Sequence, residues 1–159
     1  MKVPLLDLKA QYKTIKKEID EALIGVAESQ GCILGPEVEK LEKSLCGYLD
    51  SKYAVGVSSG TDALLIALMA IDIKPDDEVI IPTYSFFATA GVVSRMNARP
   101  VFIDSDPVTF NINPADLKKL ITKKTKAIIP VHLYGQSCDM KPIMDIAAEY
   151  DLKVIEDGA

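Results

Sequence analysis

Short apolar runs alternate with longer stretches of helical spacing along most of this chain, and that rhythm restricts the possible folds more than any other feature. The runs are Tyr53-Ala54-Val55-Gly56-Val57, Glu78-Val79-Ile80-Ile81, Val101-Phe102-Ile103-Asp104, Lys126 through Val131, and Leu152-Lys153-Val154-Ile155-Glu156-Asp157. Between them lie helical patterns reaching Ile71, spanning about 86–96, running from Pro114 to Ile121, and spanning about 140–150. Strands this apolar are buried on both faces, and parallel strands need a long crossover, which a helix supplies. The alternation therefore predicts an α/β fold, a mostly parallel sheet with helices on both faces. Ahead of it, Leu8, Tyr12, Ile15, Ile19, Leu23 and Val26 recur every three or four residues and predict an amphipathic helix over 8–29. Val38, Leu41, Leu45 and Leu49 predict a second helix over 37–49, started by Gly35-Pro36, since proline suits the first helical position. The fifth strand has no crossover after it, which predicts a sheet that continues beyond this sequence.

In open α/β sheets ligands collect outside the carboxyl ends of the strands. That rule selects Ser58–Asp62, Pro82–Phe87, His132–Gln136 and Asp157. Ser58-Ser59-Gly60-Thr61 stands between a strand and a helix start, where unpaired N–H groups and the helix dipole favour an anion such as phosphate. The hydroxyls of Ser59 and Thr61 can donate as well, and Gly60 lets a ligand approach the backbone closely. Neither the Walker pattern nor G-x-G-x-x-G is present, and Ser, Thr and Asp are also the preferred helix caps, so an anion site and a plain cap both stay open. Phe86 and Phe87 follow a strand end, where a ring can stack on a planar ligand or fill the core; for Phe87 the core is expected. His132 can bond a neighbouring carboxylate or a ligand ring, or serve the fold alone. Asp157 can pair with a protonated ring nitrogen or cap a following helix, with Glu156 on the opposite face because strand side chains alternate.

A net charge of −5 with only paired lysines speaks against a nucleic-acid surface. No apolar stretch reaches the roughly 18 residues of a membrane helix, and Met1-Lys2-Val3-Pro4 lacks a signal peptide's apolar region, so a cytoplasmic location is expected. Cys32, Cys46 and Cys138 are scattered, and with one histidine in the chain they predict neither a disulfide framework nor a metal site.

Six segments in order give the chain a resemblance to the PLP-dependent (pyridoxal 5'-phosphate) sugar aminotransferases of the DegT/DnrJ/StrS type. They are Val3-Pro4-Leu5-Leu6-Asp7-Leu8 with Gln11-Tyr12, Leu34-Gly35-Pro36-Glu37-Val38-Glu39, Tyr53 through Leu64, Pro82-Thr83-Tyr84-Ser85-Phe86, His132-Leu133-Tyr134-Gly135-Gln136, and Ile155-Glu156-Asp157-Gly158-Ala159. The resemblance implies that residues 1–159 are the N-terminal part of the PLP-binding large domain of a type I aminotransferase fold. It implies that Ser59, Gly60, Thr61 and Asp62 hold the cofactor phosphate, partly through backbone amides, and that Phe86 stacks on the pyridine ring. Asp157 would pair with the ring nitrogen, and His132 would lie beneath the cofactor in support of Asp157.

By the same resemblance the complete protein would move an amino group from glutamate to a nucleotide-linked keto-sugar, as a homodimer. The lysine that forms the Schiff base would follow Ala159, and Lys123, Lys124, Lys126, Lys141 and Lys153 are poorly placed to replace it. These residues alone are therefore expected to be inactive. A dehydratase of the same family, with histidine in place of that lysine, is one alternative; a non-catalytic cofactor-binding or regulatory remnant is another.

Overall fold

The computed structural model describes residues 3–4 and 6–159, so Leu5 of the opening motif and Met1-Lys2 lie outside it. The chain forms two compact units, one ending at Gly56 and the other Val57–Ala159.

The first unit carries helices α1, Leu8–Ser29, and α2, Pro36–Leu49, close to the predicted spans. The Asp7 carboxylate caps α1 by accepting the Ala10 N–H at 3.0 Å. Proline opens α2, and the turn before it requires glycine: a Cβ on Gly35 would stand 1.9 Å from the Gly31 carbonyl oxygen. The strand expected over Tyr53–Val57 does not form. The Gly56 N–H is taken by the Glu42 carboxylate of α2 at 2.7 Å, and Tyr53 and Val55 stay exposed, so this apolar run has no ladder to join.

The second unit holds the sheet. Its elements are α3 (Gly60–Ala70), β1 (Glu78–Pro82), α4 (Phe87–Arg95), β2 (Arg99–Ile103), α5 (Pro114–Leu120), β3 (Thr125–Ile128), α6 (Met140–Glu149) and β4 (Lys153–Val154). All pairings between these strands are parallel, in the order β2-β1-β3-β4. Every residue of β1 is buried, and alternation along the strand divides the core. Val79 and Ile81 pack with Leu64 and Leu68 of α3 and Val92 and Val93 of α4. Ile80 packs with Leu117 of α5 and Ile143 and Ile146 of α6. Helices thus cover both faces, as the alternation predicts.

β3 and β4 are shorter than the apolar runs suggest. Pro130 has no N–H to give to a ladder, and regular pairing stops ahead of it. Contact resumes one step later, where the Asp157 N–H donates to the Pro130 carbonyl and the His132 N–H donates to the Asp157 carbonyl, both at 2.9 Å. At the other edge, Arg99 and Ile103 turn their backbone groups toward β1, bonding the Asp77 carbonyl and the Thr83 N–H. Pro100, one residue along, therefore faces outward.

Candidate functional site

β1 lies between β2 and β3, so the chain leaves its carboxyl end in one direction and later returns on the other side. That reversal is where open α/β sheets leave a crevice. Here it is a hollow of about 220 Å³ lined by Gly60, Thr61, Ser85, Phe86, Leu133 and Asp157, with Leu64, Ala88, Val131 and Ala159. An apolar cleft of about 330 Å³ adjoins it and shares Thr61, Phe86 and Ala88. A larger depression, about 520 Å³, lies among Lys123, Lys126 and Asp151 at the opposite end of the strands, away from the residues that the strand-end rule selects.

Asp157 sits at the floor. One carboxylate oxygen accepts the Ala159 N–H at 3.2 Å, and the other accepts the Thr89 hydroxyl at 3.3 Å. Thr89 is 1% exposed, and its hydroxyl also meets that of Ser85 at 3.1 Å. Neither Thr89 nor a role for Ser85 emerges from the sequence. The available signal is position: Ser85 stands just ahead of α4, four residues before Thr89, and Thr89 falls on the buried stripe of α4 with Ala88, Val92 and Val93.

At the start of α3, Ser59 is the cap. Its hydroxyl accepts the Asp62 N–H at 3.1 Å and donates to the Asp62 carboxylate at 3.2 Å, and Ser58 donates to the same carboxylate. Hydrogen bonds from Ser58 and then Ser59, with a smaller attraction from Arg95, hold the Asp62 carboxyl below its ordinary range. The capping role left open for this motif is therefore filled by Ser59 and Asp62. The N–H groups of Gly60 and Thr61 head the helix, where no preceding turn supplies carbonyl partners, and both residues line the hollow.

Phe86 lines the hollow with a ring that is 77% exposed, free to lie against a planar molecule. Phe87, expected in the core, is 81% exposed instead. Its ring lies over Gly91, whose missing side chain leaves the space: a Cβ there would come within 3.0 Å of the ring. His132 meets Asp157 only through its backbone. Its ring Nε2 lies 2.9 Å from the Glu156 carboxylate, and Nδ1 accepts the Cys138 N–H at 3.1 Å. A backbone amide can only donate, so in the neutral ring the proton is on Nε2 and points to Glu156. Glu156 and Asp157 thus serve different partners, one toward His132 and one toward Thr89.

Among the described residues no lysine lines the hollow. Lys126 and Lys153 belong to β3 and β4 near their amino ends, and the Asp145 carboxylate, bonded at 2.8 Å, raises the pKa of Lys141 and keeps it protonated. Among the described residues no group of His, Cys, Asp and Glu is arranged to hold a metal ion, and no helix is long and apolar enough to cross a membrane.

Residues 13–159 match the DegT/DnrJ/EryC1/StrS aminotransferase family. The chain belongs to this family. It is 52% identical over its whole length to the pleiotropic regulatory protein of Geobacillus stearothermophilus, covering 43% of that protein. It is 45% identical over 99% of its length to the UDP-2-acetamido-2-deoxy-3-oxo-D-glucuronate aminotransferase of Pseudomonas aeruginosa, covering 44% of it. Among solved structures, DesV of S. venezuelae, in complex with a ketimine intermediate, superposes with a TM-score of 0.95 at 40% identity, over 98% of this chain and 42% of DesV. NtdA of Bacillus subtilis, with bound cofactor PMP, gives 0.93 at 42% identity, over 98% and 36%. GDP-4-keto-6-deoxymannose-3-dehydratase, with a trapped PLP-glutamate geminal diamine, gives 0.81 at 33%, over 87% and 37%. The fold is the N-terminal portion of the type I aminotransferase fold, and the chain spans less than half the length of these family members.

Proposed function

We propose that this chain forms the cofactor-holding part of a PLP-dependent enzyme that transfers an amino group from glutamate to a nucleotide-linked keto-sugar. One observation carries the reading: Asp157, the exposed Phe86 and the first residues of α3, Gly60 and Thr61, all line a single hollow. The donor set fits the group. A carboxylate matches a protonated pyridine nitrogen, an aromatic face matches the ring, and a helix start matches the phosphate.

Bound PLP supplies an electron sink for the carbon that loses and regains a proton. This chain's residues bind and orient. Gly60 and Thr61 would hold the phosphate through backbone N–H groups, with the Thr61 hydroxyl as a further donor. Ser59 and Asp62 would act one step back, by fixing the helix start. Phe86 would hold the ring plane, and Asp157 would keep the ring nitrogen protonated. His132 would fix Glu156 and the Cys138 turn beneath them. The nucleophilic lysine, the sugar-nucleotide contacts and a homodimer partner belong, on this reading, to the complete protein, and residues 1–159 alone would not turn over.

Pyridoxamine 5'-phosphate tests the pocket without a lysine, because it lacks the aldehyde and binds non-covalently. Asp157→Ala removes a charge-assisted hydrogen bond worth about 1.5–3 kcal/mol, so titration calorimetry should show affinity falling about 10- to 100-fold. Unchanged binding would leave Asp157 a structural residue and defeat the proposal. The similarity to a dehydratase favours one second reading, loss of a sugar hydroxyl in place of amino transfer. Product analysis on the complete protein separates them, since only transfer consumes glutamate in proportion to aminated sugar.

A further inference from the structure

Thr89 occupies a position where the pattern of α4 asks for an apolar residue. Its neighbours on the buried stripe are Ala88, Val92 and Val93, and it is itself 1% exposed. A buried threonine inside a helix commonly satisfies its hydroxyl on the carbonyl one turn back. Thr89 instead turns its hydroxyl to the Asp157 carboxylate, 68 residues away in sequence, and to the Ser85 hydroxyl.

The direction of this chain of bonds follows from its end. An ionised carboxylate can only accept, so Thr89 donates to Asp157 and its oxygen accepts from Ser85. Two of the acceptor sites on Asp157 are then committed, one oxygen to the Ala159 N–H and the other to Thr89. Both bonds restrict rotation of the carboxylate about its last torsion.

We infer that Thr89 is a positioning residue: its hydroxyl holds the Asp157 carboxylate aimed into the hollow, with Ser85 orienting that hydroxyl from behind. The inference rests on the reading of Asp157 as the partner of a ring nitrogen. It adds a member that contacts no ligand and acts only through Asp157.

The test is a double-mutant cycle on pyridoxamine 5'-phosphate binding. Thr89→Val keeps the shape and removes the hydroxyl; it should weaken binding about tenfold, the loss of one hydrogen bond to a charged group. Thr89→Ser should restore wild-type affinity. In the Asp157→Ala background, Thr89→Val should cost nothing more, because its route is gone. Thermal melts followed by circular dichroism report folding, and Thr89→Ala, which places no methyl beside the carboxylate, is the second variant if valine melts early. Wild-type binding by both hydroxyl-free variants, with Asp157→Ala weakened, would reduce Thr89 to a structural staple and overturn the inference. So would losses that multiply when Thr89→Val and Asp157→Ala are combined. Unchanged binding by Asp157→Ala would remove the site reading itself, and the inference with it.

Discussion

Burial decides the reactivity of individual side chains in this chain, and the cysteines make the point. Cys138 is buried, its thiol donates to the Val131 carbonyl at 3.2 Å, and desolvation pushes its pKa up. The thiolate is the nucleophile, so at neutral pH iodoacetamide should label exposed Cys32 well ahead of Cys138. Peptide mass spectrometry over a time course checks this; equal rates would mean that Cys138 is open to solvent. The same scale shows what the sequence discloses. Phe86 and Asp157 are legible as lining residues because each stands at or just past the end of an apolar run that joins the sheet, whereas Gly60 and Thr61 reach the same hollow at the head of α3 although the run ahead of them forms no strand. Thr89 is not legible, since a threonine inside an apolar helix reads as core filler until its partner from β4's far end is known. Phe87 misleads because hydrophobicity alone does not say which side of α4 its ring will take, and the ring lies exposed over Gly91.

Elements behave according to their caps and breaks. The start of α3 depends on a reciprocal arrangement in which Ser59 caps the helix and Asp62 accepts from Ser58 and Ser59. The Asp62 carboxyl is held below its ordinary range, so its contribution is complete above the unfolded value near 3.9 and fades as pH falls through the lower folded value. Acidification below about pH 4 should therefore loosen the first turn of α3, and Asp62→Asn should show the loosened state already at neutral pH. Amide chemical shifts of Gly60 through Ala63 followed through the titration check it; identical profiles for both proteins would remove the role assigned to the carboxylate. Helix spans were legible from periodicity and from Gly35-Pro36. The run Tyr53–Val57 was not, because an apolar pentapeptide becomes a strand only where a neighbour offers a ladder, and Glu42 takes the Gly56 N–H first. The breaks in β3 and β4 trace to Pro130, visible in the sequence but readable only once the partner strand is known.

For the molecule as a whole, burial is concentrated in Val57–Ala159. Neither α1 nor α2 has a buried residue, whereas β1 has no exposed one. Protection against hydrogen exchange follows burial and ladder bonding, so amides of Val79, Ile80 and Ile81 should exchange slowest and those of α1 and α2 fastest among the helices. Exchange monitored by mass spectrometry tests the ranking, and equal protection of α1 and β1 would contradict it. The outer edge of β2 has a further consequence. Arg99, Val101 and Ile103 spend their backbone groups on β1, Pro100 has no hydrogen to offer, and only the Phe102 N–H within β2 faces outward. Of the two residues of β2 that face outward, one therefore offers an incoming strand no donor. Another strand adding at this flank, from whichever chain, would start one bond short at Pro100.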